Sequence, residues 1–161
     1  MFYSPNSMLI FLFTILVLIS YSSCLINITN CTELHNISLN LTENFILTSN
    51  INCTFFLFSP IGNSTSKFKG TLDGQNNEIF GLSIQTTGSN VAIFAFADQC
   101  TIKNLVLKDV YISTNSGFVG ILFGDEIGCN VSDIQISTTV PTASNIIVST
   151  SSANFIGGLV K

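Results

Sequence analysis

An internal repeat leaves this chain few ways to fold. The run NVAIFAFADQCTIKNLVLKDVYIS, Asn90 to Ser113, is matched by FVGILFGDEIGCNVSDIQIS, Phe118 to Ser137. Val91, Ala92, Ile93 and Phe94 align with Val119, Gly120, Ile121 and Leu122 at an offset of 28. One extra residue then shifts the offset to 29, pairing Cys100 with Cys129, Ile102 with Val131, Leu105 with Ile134 and Leu107 with Ile136. A third copy opens at FIGGLVK, where Ile156 to Leu159 repeats Val119 to Leu122 at an offset of 37. The longer gap holds a Ser/Thr-rich insertion, Thr138 to Ser152, which reads as a loop bulging from one face. A unit with so few apolar positions cannot bury a core alone, so copies must stack and make continuous apolar ladders.

The apolar runs are short and β-rich. Ile46-Leu47, Glu78 to Phe80, Leu82 to Ile84, Ile102, Leu105 to Leu107, Val110 to Ile112 and Ile134 to Ile136 read as strands between Gly, Asn and Asp turns. Helical periodicity is hard to find after residue 25, and the β-branched content disfavours a helical solenoid. The fold expected is all-β: a right-handed parallel β-helix, with an N-terminal cap and an incomplete C-terminal turn. Its divisions are 1–24 as a signal peptide, 25–66 as a cap segment and 67–161 as the repeats. In the cap segment Ile37, Leu39 and Leu41, then Phe45 and Leu47, alternate with polar residues.

Met8 to Tyr21 is apolar except for Thr14 and Ser20, and Ser22, Ser23 and Cys24 follow. That is a signal-peptide pattern, shorter than the roughly 20 residues that span a bilayer. An uncleaved anchor helix is the alternative reading. Beyond this segment no membrane association is expected. Four cysteines then remain, Cys31, Cys53, Cys100 and Cys129, which permit two disulfides in three possible pairings. Cys31 with Cys53 is a candidate staple for the cap, and Cys100 and Cys129 share a ladder position.

Only 9% of the residues are charged, with no Arg, five Lys and a net charge of −4. No basic patch is available for nucleic acid. Asn, Ser and Thr number 53, so solubility rests on amides and hydroxyls. Seven Asn-x-Ser/Thr sequons occur, at Asn27, Asn30, Asn36, Asn40, Asn52, Asn63 and Asn130, and the first six cluster between residues 27 and 63. Together with the cysteines they point to a secreted or cell-surface protein.

Three stretches, NVAIFAFADQCTIKNLVLKDVYIS, FVGILFG and FIGGLVK, resemble the GLUG repeat of secreted and surface β-helix proteins, a pectin-lyase-like fold. The preceding FSPIGNSTSKFKGTLDGQNNEIFGLSI resembles the segment that introduces such repeats, with Phe68, Gly70, Asp73, Gly74 and Ile79 in its F-x-G-x-x-D-G-x-x-x-x-I pattern. Ala92 and Phe96 stand where that family prefers Gly, and Ile121 replaces its second Gly. The resemblance implies a non-catalytic structural or adhesion module.

Candidate chemistry is sparse. No CxxC or Cys/His cluster is present, so neither a metal nor a cofactor is expected. Asp73-Gly74 with Asn76-Asn77 reads as turn chemistry in which Gly and Asn supply positive φ. Asp98, Asp109, Asp125, Glu126 and Asp133 are weighed as paired acids for glycoside cleavage and read as solvated corner residues. His35 reads as a surface residue, and Lys103 and Lys108 as solubilising flanks of a strand. The function expected is an extracellular module presenting loops, chiefly Thr114-Asn115-Ser116 and the Thr138 to Ser152 insertion, to glycan or protein. The alternative is a polysaccharide-processing β-helix enzyme, recognisable by an acidic cluster on adjacent turns.

Overall fold

The computed structural model describes residues 24–115 and 118–139, and the backbone of two strands at 148–149 and 155–157. Its strands stack into a parallel β-helix. On one side β1 (Leu25–Ile28), β2 (Asn44–Leu47), β4 (Thr71–Asp73), β8 (Thr101–Lys108) and β12 (Asn130–Ser137) follow one another, while β3 (Ile51–Asn52) and β5 (Glu78–Phe80) lie on the later half of β8. A second side carries β6 (Ser83–Thr86), β9 (Tyr111–Thr114) and β13 (Val148–Ser149). Elsewhere around the coil β7 (Phe94–Asp98) pairs with β11 (Phe123–Ile127), and β10 (Phe118–Gly120) with β14 (Phe155–Gly157). All these pairings are parallel, as a coil that climbs by one strand per turn requires.

The apolar ladders form in the register the repeat predicts: Val131 on Ile102, Ile134 on Leu105 and Ile136 on Leu107. They extend further back than the repeat does. Ile26, Phe45, Leu72, Ile102 and Val131 make one column, and Ile51, Ile79, Leu107 and Ile136 another. On the second side Ile84 and Ile112 are in register, and the backbone of Val148 pairs with that of Ile112. Burying one such side chain contributes roughly 1.5–3 kcal/mol. Ile102, Leu105 and Leu107 are fully buried, whereas Val131, Ile134 and Ile136 are half-buried, because no further turn covers them among the described residues.

Two short runs expected on either side of Asn104 are one strand. Asn104 adopts φ 51°, and Asp133, its counterpart one turn on, φ 53°. The left-handed residue takes up one position, so that Leu105 and Leu107 rejoin Ile102 on the inner face. Corners use the same device: Gln99 and Gly128 follow a paired position, as do Gly81 and Asp109, and all four have positive φ.

One alignment shifts by a residue. Phe94 is in register with Phe123, not with Leu122, so the extra residue of the second copy falls before Phe123. Val91 still pairs with Val119, and Ile156 with Val119 as expected. The consequence is an aromatic file. Ring centroids of Phe45 and Phe68 lie 6.4 Å apart, of Phe68 and Phe94 4.7 Å, and of Phe94 and Phe123 6.0 Å.

The N-terminal end is closed by a helix that periodicity did not reveal. After β1 comes α1 (Cys31–His35), continued by a 3-10 turn, Asn36–Leu39. Asn30 is the N-cap: its Oδ1 accepts from the Glu33 N–H at 2.9 Å. The Glu33 carboxylate in turn accepts from the Thr29 N–H at 2.7 Å. These reciprocal bonds satisfy two backbone donors and nucleate a turn too short to show an apolar stripe. The alternation expected here therefore fails: Ile37 is buried but Leu39 is exposed. Ile28, Leu34 and Ile37 cover the open end of the coil, and β2, from Asn44, pairs with both β1 and β4. The expected signal segment lies outside the described residues apart from Cys24, as do residues 140–147, 150–152 and 158–161 of the insertion and third copy.

Candidate functional site

The structure pairs the four expected cysteines as Cys31–Cys53 and Cys100–Cys129, with Cα atoms 5.5 and 4.4 Å apart. The first ties the cap helix to the first turn of the coil. The second joins adjacent turns, where its two cysteines precede the register partners Thr101 and Asn130. Such pairing is the chemistry of an oxidising compartment.

Each residue of the introductory motif has a defined place in the coil. Phe68 is fully buried in the aromatic file. A Cβ on Gly70 would collide with the backbone carbonyl of Glu43. Asp73 Oδ1 accepts from the Gln75 N–H and from Asn104 Nδ2, both at 3.0 Å, and Oδ2 meets Lys103 Nζ at 3.2 Å. Burial pushes this carboxyl upward, but the contacts with Asn104, Gln75 and Lys103 outweigh it and hold it below its ordinary value. The positive φ of this turn belongs to Gln75 and Asn76, not to Gly74. Gly74 is needed for close approach, since a Cβ there would run into Asn104 O. Ile79 is a ladder residue between Ile51 and Leu107.

Four of the nine acidic side chains, Asp73, Glu78, Asp98 and Asp109, are engaged between turns. Asp98 meets Lys69 Nζ at 2.8 Å, and that contact leads in holding its carboxyl low. Glu78 meets Lys108 Nζ at 3.4 Å. Asp109 accepts from Thr139 through both oxygens, at 2.8 and 2.6 Å, which lowers its pKa. Glu126 accepts from the Cys129 N–H at 3.1 Å. Asp133 is exposed at the bend of β12, and Asp125 lies on β11 in register with Phe96. Among the described residues no three His, Cys, Asp or Glu side chains are grouped as metal ligands. Lys103 and Lys108 therefore act as cross-turn partners as well as solubilising groups. His35 is not a surface residue: it is half-buried, edge-on to Phe58 with centroids 5.5 Å apart, because α1 turns it toward the aromatic lining of the cap.

Grooves flank the loop after β6. One is lined by Gln85, Thr86, Thr87, Ser113, Thr114 and Asn115. The other is mixed, with Asn63, Ser64, Ser89 and Asn90 beside Pro60, Val91, Ala95 and Phe96. Of the expected presenting turn, Thr114 is buried, Asn115 is exposed and Ser116 lies outside the described residues. The insertion is not wholly a loop, for Val148–Ser149 pairs with Ile112-Ser113. Tyr111 is exposed on β9, two residues before the groove residue Ser113 and in register with Ser83. Seven sequon asparagines, Asn27, Asn30, Asn36, Asn40, Asn52, Asn63 and Asn130, are all exposed.

No family profile matches the chain, and no solved structure does. It is similar to Halomucin of Haloquadratum walsbyi (strain DSM 16790 / HBSQ001), at 34% identity over 86 residues. That stretch is 52% of this chain and 1% of Halomucin, so the likeness concerns a small segment of a far longer protein. No helix among the described residues is long and apolar enough to cross a membrane.

Proposed function

We propose that the chain is a non-catalytic extracellular β-helix module that presents its outer face to glycan or protein. The observation that carries this reading is the use made of its charged groups. Asp73, Glu78 and Asp98 are each paired with a lysine of the neighbouring turn on the coil's surface. A polysaccharide-cleaving β-helix would instead direct a pair of acids into a groove. The groove beside β6 and β9 is lined by amides and hydroxyls, which suit hydrogen bonding to a hydroxyl-rich ligand. Disulfides, clustered sequons, resemblance to GLUG repeats and similarity to a segment of Halomucin all support an extracellular setting.

The test is an array of glycans and extracellular-matrix proteins probed with secreted protein. Binding weakened about tenfold by Gln85→Ala or Tyr111→Ala, at unchanged melting temperature, is expected. Release of reducing ends or unsaturated products from a polysaccharide panel overturns the reading.

A further inference from the structure

Two of the seven sequons contain a cysteine as their middle residue: Asn30-Cys31-Thr32 and Asn52-Cys53-Thr54. The structure joins these same two cysteines to each other. We propose that glycan transfer to Asn30 and Asn52 competes with closure of the Cys31–Cys53 disulfide, so that redox timing sets the modification of both sites. The inference rests on the secreted reading given above.

Each tripeptide is locked once the bond has closed. Cys31 and Cys53 are buried, and their Cα atoms are 5.5 Å apart. Asn30 caps α1 through Glu33 N–H, and its carbonyl accepts from the Leu34 N–H at 3.0 Å. Asn52 Oδ1 accepts from the Thr54 N–H at 2.9 Å, and the Cys53 N–H donates to Phe80 O at 2.7 Å. A transferase must take up the whole tripeptide, and after closure each tripeptide carries the other covalently at its centre. Local unfolding frees the sequons at Asn36 and Asn40 but leaves this link intact. Asn63 differs again, since Ser64 and Thr65 are themselves exposed.

The two reactions balance separately. In transfer the Asn Nδ2–sugar C1 bond forms, the C1–O bond to a lipid diphosphate carrier breaks, and the amide loses one proton. In closure the two thiols give two protons and two electrons to a disulfide donor and form S–S. Transfer first leaves both thiols able to pair, and both asparagines stay exposed afterwards. Closure first leaves both sequons bare. Cys53 is made 22 residues after Cys31, so Asn30 has a free interval during synthesis while Asn52 meets a thiol already waiting. Asn52 is therefore the more sensitive site.

The test is site-by-site glycan occupancy, by mass spectrometry, of the full chain from both cell lysate and medium of a glycosylating host. Cys31→Ser leaves the Asn52 tripeptide unaltered, and Cys53→Ser leaves that of Asn30 unaltered. Occupancy at the distant site should rise about twofold or more in each variant, with Asn36, Asn40 and Asn63 unchanged. Cys100→Ser, which removes the other disulfide, should not move Asn52. Unchanged occupancy at Asn52 in Cys31→Ser, or an equal rise in Cys100→Ser, overturns the coupling. Absence of glycan from all seven sites overturns the coupling and removes the sequon support for the secreted reading; glycan at Asn36 and Asn40 without coupling leaves that support standing.

Discussion

The rings of Phe68 and Phe94 lie 4.7 Å apart at the centroid, one turn of the coil above the other. Both are fully buried, and Phe45 and Phe123 continue the file on either side. Tilted ring pairs at this spacing add to their area burial, so the file ties turns together. Phe94→Ala should cost about 3–5 kcal/mol by lost transfer energy plus a cavity. Leu39→Ala, at a side chain 75% exposed, should stay within about 0.5 kcal/mol. Urea unfolding of both variants checks the contrast, and equal effects would refute the file as a stabilising element.

Ladder residues should grade by position. Leu105→Ala should cost roughly 2–5 kcal/mol, and Ile134→Ala less, since Ile134 is only half-buried. Lys108→Ala removes one partly exposed ion pair and should cost no more than about 1 kcal/mol. An Ile134→Ala loss as large as that of Leu105→Ala would show that a further turn covers Ile134.

The bend at residues 74 and 104 should tolerate little. Gly74→Ala drives a methyl into Asn104 O, and Asn104→Ala strands a residue at φ 51° while removing the Asp73 contact. Each should destabilise by about 1–3 kcal/mol. Asn104→Gly relieves the backbone but not the lost hydrogen bond, so it should fall between wild type and Asn104→Ala in thermal unfolding.

Disulfide mapping of non-reduced peptides should return Cys31–Cys53 and Cys100–Cys129 alone. Loss of either bond should cost about 3–4 kcal/mol by the chain-entropy estimate for closures of 22 and 29 residues. Recovery of a crossed pairing would contradict the stacking of the turns.

Acid should weaken the fold through Asp73, Asp98, Asp109 and Glu33, all held below their ordinary values of 3.8 and 4.5. A lowered folded-state pKa stabilises the protein while the group is ionised in both states. That stability is present at neutral pH and is lost as pH falls through these ordinary values toward the lower folded ones. Melting temperature should then be flat from pH 7 to about pH 5 and decline below it. A rise in melting temperature on acidification to pH 3 would reverse the sign and defeat the assignment.

The ladders were legible in the sequence because Cys100, Ile102, Leu105 and Leu107 recur at one fixed offset, and a fixed offset is what stacked strands impose. The sequons and the number of cysteines were legible for a plainer reason: composition and short motifs need no geometry. Phe45, Phe68, Phe94 and Phe123 are 23, 26 and 29 positions apart, so no period links them. They converge only because loops of unequal length bring the chain back to one place. The cap helix escaped notice because a single turn is held by Asn30, Thr29 and Glu33 and by docking on the coil, not by an apolar stripe. The sequence by itself determined that turns stack and which aliphatic residues of the repeated copies meet, since period and β-propensity are local properties. Tertiary structure alone decided that Cys31 meets Cys53 and where His35 packs, because those contacts join residues whose separation follows no repeat; Cys100 and Cys129 were already aligned by the repeat, and the structure added the bond between them.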